Sequence, residues 1–237
     1  MRLAIDIGNT KTKFALFDNS GLRQYSQDRE ELVQWLKQGL VQKAIICKTG
    51  SENETEEILS KSGVSPLYLS TSIKLPITFT YTTPNTLGAD RLATAVAAFS
   101  SFPLSNVLTI GAGTCIIYDF VNEKGVYEGG AISPGLAMRF KALNNYTAKL
   151  PLIERPDDGL PELVGDSTAN SILSGVLNGA INEVDGIIKQ YQSRYANLKI
   201  IITGGDSPFF VSNLKNDIFA RQNLVLEGLN IILQHNE

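Results

Sequence analysis

The chain has 237 residues, enough for one large domain or two small ones with a full apolar core. A composition that is 43% apolar and 19% charged is that of a globular protein and excludes a disordered one. A net charge of -3 supplies no basic field for nucleic acid, and no apolar run approaches the roughly 20 residues that span a bilayer. The chain opens directly on a strand pattern, so the expectation is a cytoplasmic protein without a signal peptide.

That first pattern, residues 3–17, has two apolar runs flanking Gly8-Asn9 and reads as a β-hairpin. Leu3, Ile5 and Ile7 point one way; Ala4 and Asp6 point the other. The tip therefore gathers a carboxylate (Asp6), small polar groups (Asn9, Thr10, Thr12), free backbone N–H groups and the Lys13 ammonium. Such a set suits a metal-bound polyphosphate, and it is equally compatible with an ordinary hairpin carrying solvated polar residues.

Residues 22–26 can add a third strand, and Asp28 reads as a helix cap with Glu31 in the capping-box position. Leu32, Trp35 and Leu36 give that helix its apolar stripe. A strand over 42–47, a short helix over 53–60 and a strand over 67–70 follow, which is the alternation of an α/β layer. Residues 74–83 are Thr- and Pro-rich with aromatic insertions, so they read as an extended edge, with Tyr81 either packed or lining a pocket. The Ala-rich run after Gly88 is a strong helix with Leu92, Val96 and Phe99 as its buried stripe. Asp90 in its first turn suits the helix dipole, whereas Arg91 beside it does not. The pair reads either as simple capping or as a grip on an anionic substrate with a base next to it.

Residues 106–120 repeat the opening: two apolar runs around a Gly/Thr tip, with 110–114 overlaying 5–9 and Gly111 standing where the first copy has Asp6. A strand over 125–132 follows, then a helix starting at Ser133-Pro134. Residues 150–163 are irregular and Pro-rich, with Asp157 and Asp158 among them. Asp166 or Ser167 caps a long helix to about Tyr195, 198–203 is a buried strand ending in Thr203-Gly204-Gly205-Asp206, and 223–234 is a closing helix. Cys47 and Cys115 sit in apolar runs and read as buried thiols. His235 is the one histidine, at the end of the chain, so catalysis falls to Asp, Glu, Lys, Arg, Ser or Thr.

Six pieces together resemble the type III pantothenate kinases of the acetate and sugar kinase/heat-shock 70/actin superfamily. They are 6–10, 88–91, 111–114, 129–136, 166–168 and 203–206, spread over nearly the whole chain. The resemblance implies an α/β fold of two actin-like (ribonuclease H-like) halves, 1–105 and 106–237, each a mixed sheet flanked by helices, with the nucleotide cleft between them. It implies ATP-dependent phosphorylation of the 4′-hydroxyl of pantothenate, the first step of coenzyme A synthesis, by a homodimer. Carried over by position, Asp6, Ile7, Gly8, Asn9, Thr10, Lys11, Thr12 and Lys13 hold the ATP phosphates, with Asp6 on Mg²⁺ through ATP and Thr114 touching ATP from the second hairpin. Asp90 is the general base. Gly88, Ala89, Asp90, Arg91, Tyr81 and Thr168 form the pantothenate site. The position of Gly111 is normally an aspartate that binds an activating K⁺ or NH₄⁺, so the expectation is a kinase with an altered or absent cation requirement. Another kinase of the superfamily, or a non-catalytic ATP clamp, are the competing readings.

Overall fold

The computed structural model describes residues 1–156 and 159–237; Asp157 and Asp158, within the expected irregular stretch, lie outside the described residues. The chain forms two compact units. Unit 1 comprises Met1–Leu104, Val121–Gly129 and Asn223–Glu237, and unit 2 comprises Ser105–Phe120 and Gly130–Gln222. The closing helix and a short central piece, Val121–Gly129, group with the first unit.

Unit 1 is built on the predicted hairpin, β1 (Arg2–Ile7) and β2 (Thr12–Asp18), extended by β3 (Gly21–Ser26). Asp28 caps α1 (Arg29–Lys37) by accepting from the Glu30 N–H at 2.8 Å. β4 (Lys43–Lys48) then pairs parallel to β1, as a buried β-α-β crossover requires. α2 (Glu54–Ser62) leads to β5 (Leu67–Tyr68), which is shorter than the expected 67–70 because only Leu67 and Tyr68 find ladder partners on β4. The sheet order is β3-β2-β1-β4-β5. Alternation along β1 buries both faces: Leu3, Ile5 and Ile7 pack with Trp35, and Ala4 packs with Cys47 and the helix α3 (Ala89–Ser101). The expected stripe of α3 is too narrow, since every residue from Arg91 to Ala98 is buried. Between β5 and α3, β6 (Thr78–Phe79) is an extended edge.

In unit 2, β7 (Val107–Ala112) and β8 (Cys115–Val121) meet at the Gly113-Thr114 tip, and Cys115 there is half-buried rather than buried. β9 (Val126–Pro134) continues through Pro134, so the helix expected at Ser133 starts later, as α4 (Leu136–Asn145) after Gly135. A proline is tolerated at a strand end, where it owes the ladder no donor. Ser167 caps α5 (Thr168–Arg194) by accepting from the Asn170 N–H at 3.2 Å. β10 (Lys199–Thr203) lies parallel to β7, and α6 (Ser207–Asn213) and β11 (Phe219–Ala220) complete the unit. The strands run β11-β10-β7-β8-β9. The first residues of β9 lie in unit 1, where they pair with β6, and α7 (Leu224–His235) closes that unit against α3. A Cβ on Gly228 would overlap the Ala93 carbonyl, so glycine there is what lets α7 cross α3 closely. No helix among the described residues is long and apolar enough to cross a membrane.

Candidate active site

In unit 1 the expected residues converge from two elements. Asp6 is the penultimate residue of β1, with Lys13 opposite it on β2 and Cys47 beside it on β4. Only 7% of it is exposed, and burial raises its carboxyl to about 6, with Lys13 opposing and the charge of Asp90 adding to the rise. The hairpin tip and the start of α3 are therefore electrostatic neighbours. The same two carboxylates and burial push the Cys47 thiol well up, so this cysteine stays protonated at neutral pH and is a packing group.

The tip is held by groups that the sequence pattern does not mark. The Gly8 N–H donates to the Lys11 carbonyl at 3.1 Å, and the N–H groups of Thr49 and Gly50 both donate to the Ile7 carbonyl at 2.9 Å. A Cβ on Gly50 would overlap the Gly8 carbonyl, so glycine is needed where the loop after β4 crosses the tip. Glu52 extends that brace. It accepts from the Thr12 hydroxyl at 3.3 Å and from the Thr55 N–H and hydroxyl at 2.7 and 2.8 Å. Asn9, Thr10 and Lys11 are exposed at the tip, whereas the Ile7 side chain is fully buried and offers a ligand nothing but backbone.

The start of α3 carries Gly88, Ala89, Asp90 and Arg91, with Gly88 as the cap residue. The Asp90 carboxylate folds back to accept from the Arg91 N–H at 2.9 Å. It passes so close over Gly88 that a Cβ there would sit 2.6 Å from Asp90 Oδ1. Glycine is thus a steric condition for the carboxylate's position. Arg91 is buried, with its Cζ 5.7 Å from the Tyr81 ring centre and 6.0 Å from that of Tyr127. Tyr81 therefore joins this group, and Tyr127 is a member that sequence reasoning missed.

In unit 2, Thr114 is exposed on its hairpin tip, its carbonyl accepting from the Gly135 N–H at 3.1 Å, and Thr168 is exposed as the first residue of α5. Gly111 is the penultimate residue of β7, opposite Ile117, whose Cβ would lie 3.7 Å from a Cβ on the glycine. Asp119 is buried further along β8, where its carbonyl accepts from the Thr109 hydroxyl at 3.3 Å.

Among the described residues, no group of three or more His, Cys, Asp or Glu gathers to hold a metal ion. Asp6 with Asp90 and the tip hydroxyls nevertheless form the hard-oxygen donor set that Mg²⁺ takes when phosphates supply its other ligands. The cavity lined by Arg2, Asp18, Arg23 and Lys43 lies at the opposite ends of β1 and β2 from Asp6 and is not part of this group.

A family model described as type III pantothenate kinase matches residues 2–190. A type III pantothenate kinase from Christiangramia forsetii is 46% identical over 246 residues, covering 100% of this chain and 99% of its own. One from Bacteroides fragilis is 42% identical over 241 residues, covering 100% and 98%. Among solved structures, a conserved Baf family transcriptional activator from Campylobacter jejuni aligns at a TM-score of 0.63 with 21% identity, covering 99% and 98% of the two chains. A 2-dehydro-3-deoxygalactonokinase from Sinorhizobium meliloti aligns at 0.57 with 12% identity, covering 100% and 99%. These two likenesses carry the fold alone: two mixed α/β sheets flanked by helices, as in the actin-like superfamily.

Proposed function

The chain belongs to the type III pantothenate kinases, and we infer that it transfers the γ-phosphoryl group of ATP to the 4′-hydroxyl of pantothenate. The observation that carries this reading from family to chemistry is the meeting of the Asp6 hairpin with Asp90 and Arg91 at the start of α3. Phosphoryl transfer asks chiefly for charge neutralisation and in-line positioning. The exposed tip residues and Lys13 present N–H, hydroxyl and ammonium donors to the phosphates. Asp6 would hold the Mg²⁺ that accompanies the nucleotide, whose contribution when bound is to neutralise phosphate charge. Its raised proton affinity is what burial beside a second carboxylate produces before a cation arrives. Asp90 accepts the hydroxyl proton as the substrate oxygen bonds to the γ-phosphorus and the bond to the ADP oxygen breaks. Arg91 binds the carboxylate at the other end of the acid as a planar fork. Thr114 and Thr168 are assigned to ATP and pantothenate respectively.

Two further assignments belong to this reading. The first is a changed or absent K⁺ requirement, since the Gly111 side chain brings no ligand oxygen of its own. The second is self-association as a homodimer. It is supported by large apolar side chains that unit 2 leaves exposed: Ile132, Tyr146, Leu163 and Val164.

The test is ADP release from Mg-ATP with and without pantothenate, in K⁺ and then in a K⁺-free buffer. Pantothenate-dependent ADP at a similar rate in both salts is expected. Asp90→Asn should keep the fold and lower kcat by roughly 10²–10⁴, the worth of a positioned proton acceptor. ADP release indifferent to pantothenate, or near-normal turnover by the variant, overturns the reading.

A further inference from the structure

Arg91 stands in an unfavourable place for a cation. It is the third residue of α3, at the helix end that repels positive charge, and only 6% of it is exposed. Two aromatic rings face its guanidinium. The register of a very short strand pair sets them there: Phe79 on β6 pairs with Tyr127 on β9, and the Thr80 N–H donates to the Tyr127 carbonyl at 3.0 Å. This ladder delivers Tyr81 next to Tyr127, with ring centres 6.1 Å apart and planes tilted by 42°. Each ring centre lies within the range over which an aromatic quadrupole attracts a cation. Tyr127 is fully buried in the cluster that holds Ile77, Leu87 and Leu92, so its ring is fixed by the core of unit 1.

We propose that Tyr127 is a positioning residue for the acid substrate: with Tyr81 it forms an aromatic corner against one side of the Arg91 guanidinium, restricts the orientation of the fork and so makes the site select a carboxylate over a neutral group of the same shape. The inference rests on the reading that Arg91 receives that carboxylate. A guanidinium binds a carboxylate through two parallel N–H···O bonds only in one plane, and a free arginine side chain loses rotamer entropy to reach it. An aromatic corner formed before the substrate arrives removes part of that cost from the binding step. Being fully buried, Tyr127 acts through Arg91. Its loss should therefore appear in KM for the acid and leave kcat nearly alone.

The experiment measures kcat and KM for pantothenate and, in separate reactions, for the corresponding alcohol (CH₂OH in place of the carboxylate), which keeps the 4′-hydroxyl and serves as the neutral substrate. Tyr127→Leu should raise KM for the acid by roughly 5- to 30-fold, the range that a desolvated cation–π contact spans. Its kcat and the KM of the alcohol should stay within about twofold of the parent, and Tyr127→Phe should recover most of the lost affinity for the acid. Because Tyr127→Leu removes a core ring, phenylalanine carrying one, two or three fluorines at position 127 is the second arm. The ring shape is kept while its quadrupole falls, and KM for the acid should climb with each fluorine. Arg91→Lys tests the underlying reading, since it should weaken the acid and not the alcohol. If Arg91→Lys weakens both equally, that reading falls and the inference with it. If Arg91→Lys discriminates but the fluorinated series leaves KM flat, the reading stands and the inference is overturned. Equal loss of acid and alcohol in Tyr127→Leu also overturns it, by making Tyr127 a packing residue only.

Discussion

The two units repeat one strand plan and differ in what they hang on it. Unit 1 orders its sheet β3-β2-β1-β4-β5, and unit 2 orders its own strands β9-β8-β7-β10-β11, the same plan met in the same chain order. Each has a central strand that ends in a hairpin tip and a parallel partner whose following loop folds over that tip. In unit 1 the Gly50 N–H donates to the Ile7 carbonyl at 2.9 Å; in unit 2 the Asp206 N–H donates to the Ala112 carbonyl at 3.0 Å. In both, a glycine sits where a Cβ would strike tip backbone: Gly50 on the Gly8 carbonyl and Gly204 on that of Ala112. The side chains diverge. The penultimate residue of the central strand is Asp6 in one and Gly111 in the other. The helix that follows the strands of the first half of the chain, α3, begins with Ala89-Asp90-Arg91, whereas α7, which follows β11 and packs within unit 1, begins with Leu224-Val225-Leu226. A duplicated backbone thus supplies two hairpin tips, while the acidic and basic side chains are concentrated at one of them.

The largest test of that asymmetry is Asp6→Asn. It should cut kcat/KM for ATP by roughly 10²–10³, the usual cost of losing one electrostatic contact in phosphoryl or acyl transfer. It should also stabilise the ligand-free protein. The folded carboxyl titrates at about 6 against an ordinary value of 3.8, so its folded form favours the proton. Its contribution to stability is full below the lower value and is lost as pH rises through about 6. At pH 8 the ionised group is a burden that asparagine removes, a gain of up to about 3 kcal/mol in urea unfolding that should vanish near pH 4. Equal stability of parent and variant at pH 8 would show that Asp6 is not the strained member of the pair.

The shared scaffold has its own test, in the glycines that cover the tips. Gly204 has φ +98, a left-handed backbone that an alanine adopts only under strain, in addition to the overlap with Ala112. Gly204→Ala should cost about 2–4 kcal/mol, strain and overlap together. Gly50→Ala meets the overlap alone and should cost less. Gly205→Ala meets nothing within 4 Å and should stay within about 0.5 kcal/mol. Thermal unfolding of the three variants ranks them, and a costly Gly205→Ala would break the steric account.

What the sequence disclosed follows the same division. Elements that carry their own signal were legible: the alternating hairpin, the Asp28 and Ser167 caps, and the Ala-rich helix behind Gly88. Elements set by a partner were not. β6 and β11 are strands of two residues defined only by what they pair with, and α6 is a helix of 7 residues hidden behind the Gly-Gly-Asp step. The site divides likewise. Local pattern singled out Asp6, Asp90 and Arg91 but left an ordinary hairpin and simple capping open, and their roles came from the resemblance. The brace from Gly50 and Glu52 and the ring of Tyr127 reach the site only through tertiary register, which no local window contains. The glycine after each parallel strand was the one available clue, visible once Lys48-Thr49-Gly50 is set beside Ile202-Thr203-Gly204.

The sharpest test of the difference between the units is Gly111→Asp. Around Gly111 the nearest atoms to an added Cβ are Ile117 Cβ at 3.7 Å and the Ile117 carbonyl at 3.9 Å, which is ordinary contact, so the backbone has room for the change. The added carboxylate would lie half-buried with Thr203 paired alongside on β10. Without a counter-ion it should cost about 1 kcal/mol or somewhat more, the desolvation of a polar group that lacks a partner. If the position is competent to hold a monovalent cation, K⁺ at ten times its dissociation constant returns about 1.4 kcal/mol by mass action. The variant's melting temperature should then rise with K⁺ and not with choline, while the parent's stays flat in both, and ADP release should acquire the same salt dependence. A variant indifferent to K⁺ in both measurements would mean that the second tip differs from a cation site by more than one side chain. A parent already strongly activated by K⁺ would mean that backbone and neighbouring oxygens hold the ion without the carboxylate, and the chemical contrast between the two units would narrow accordingly.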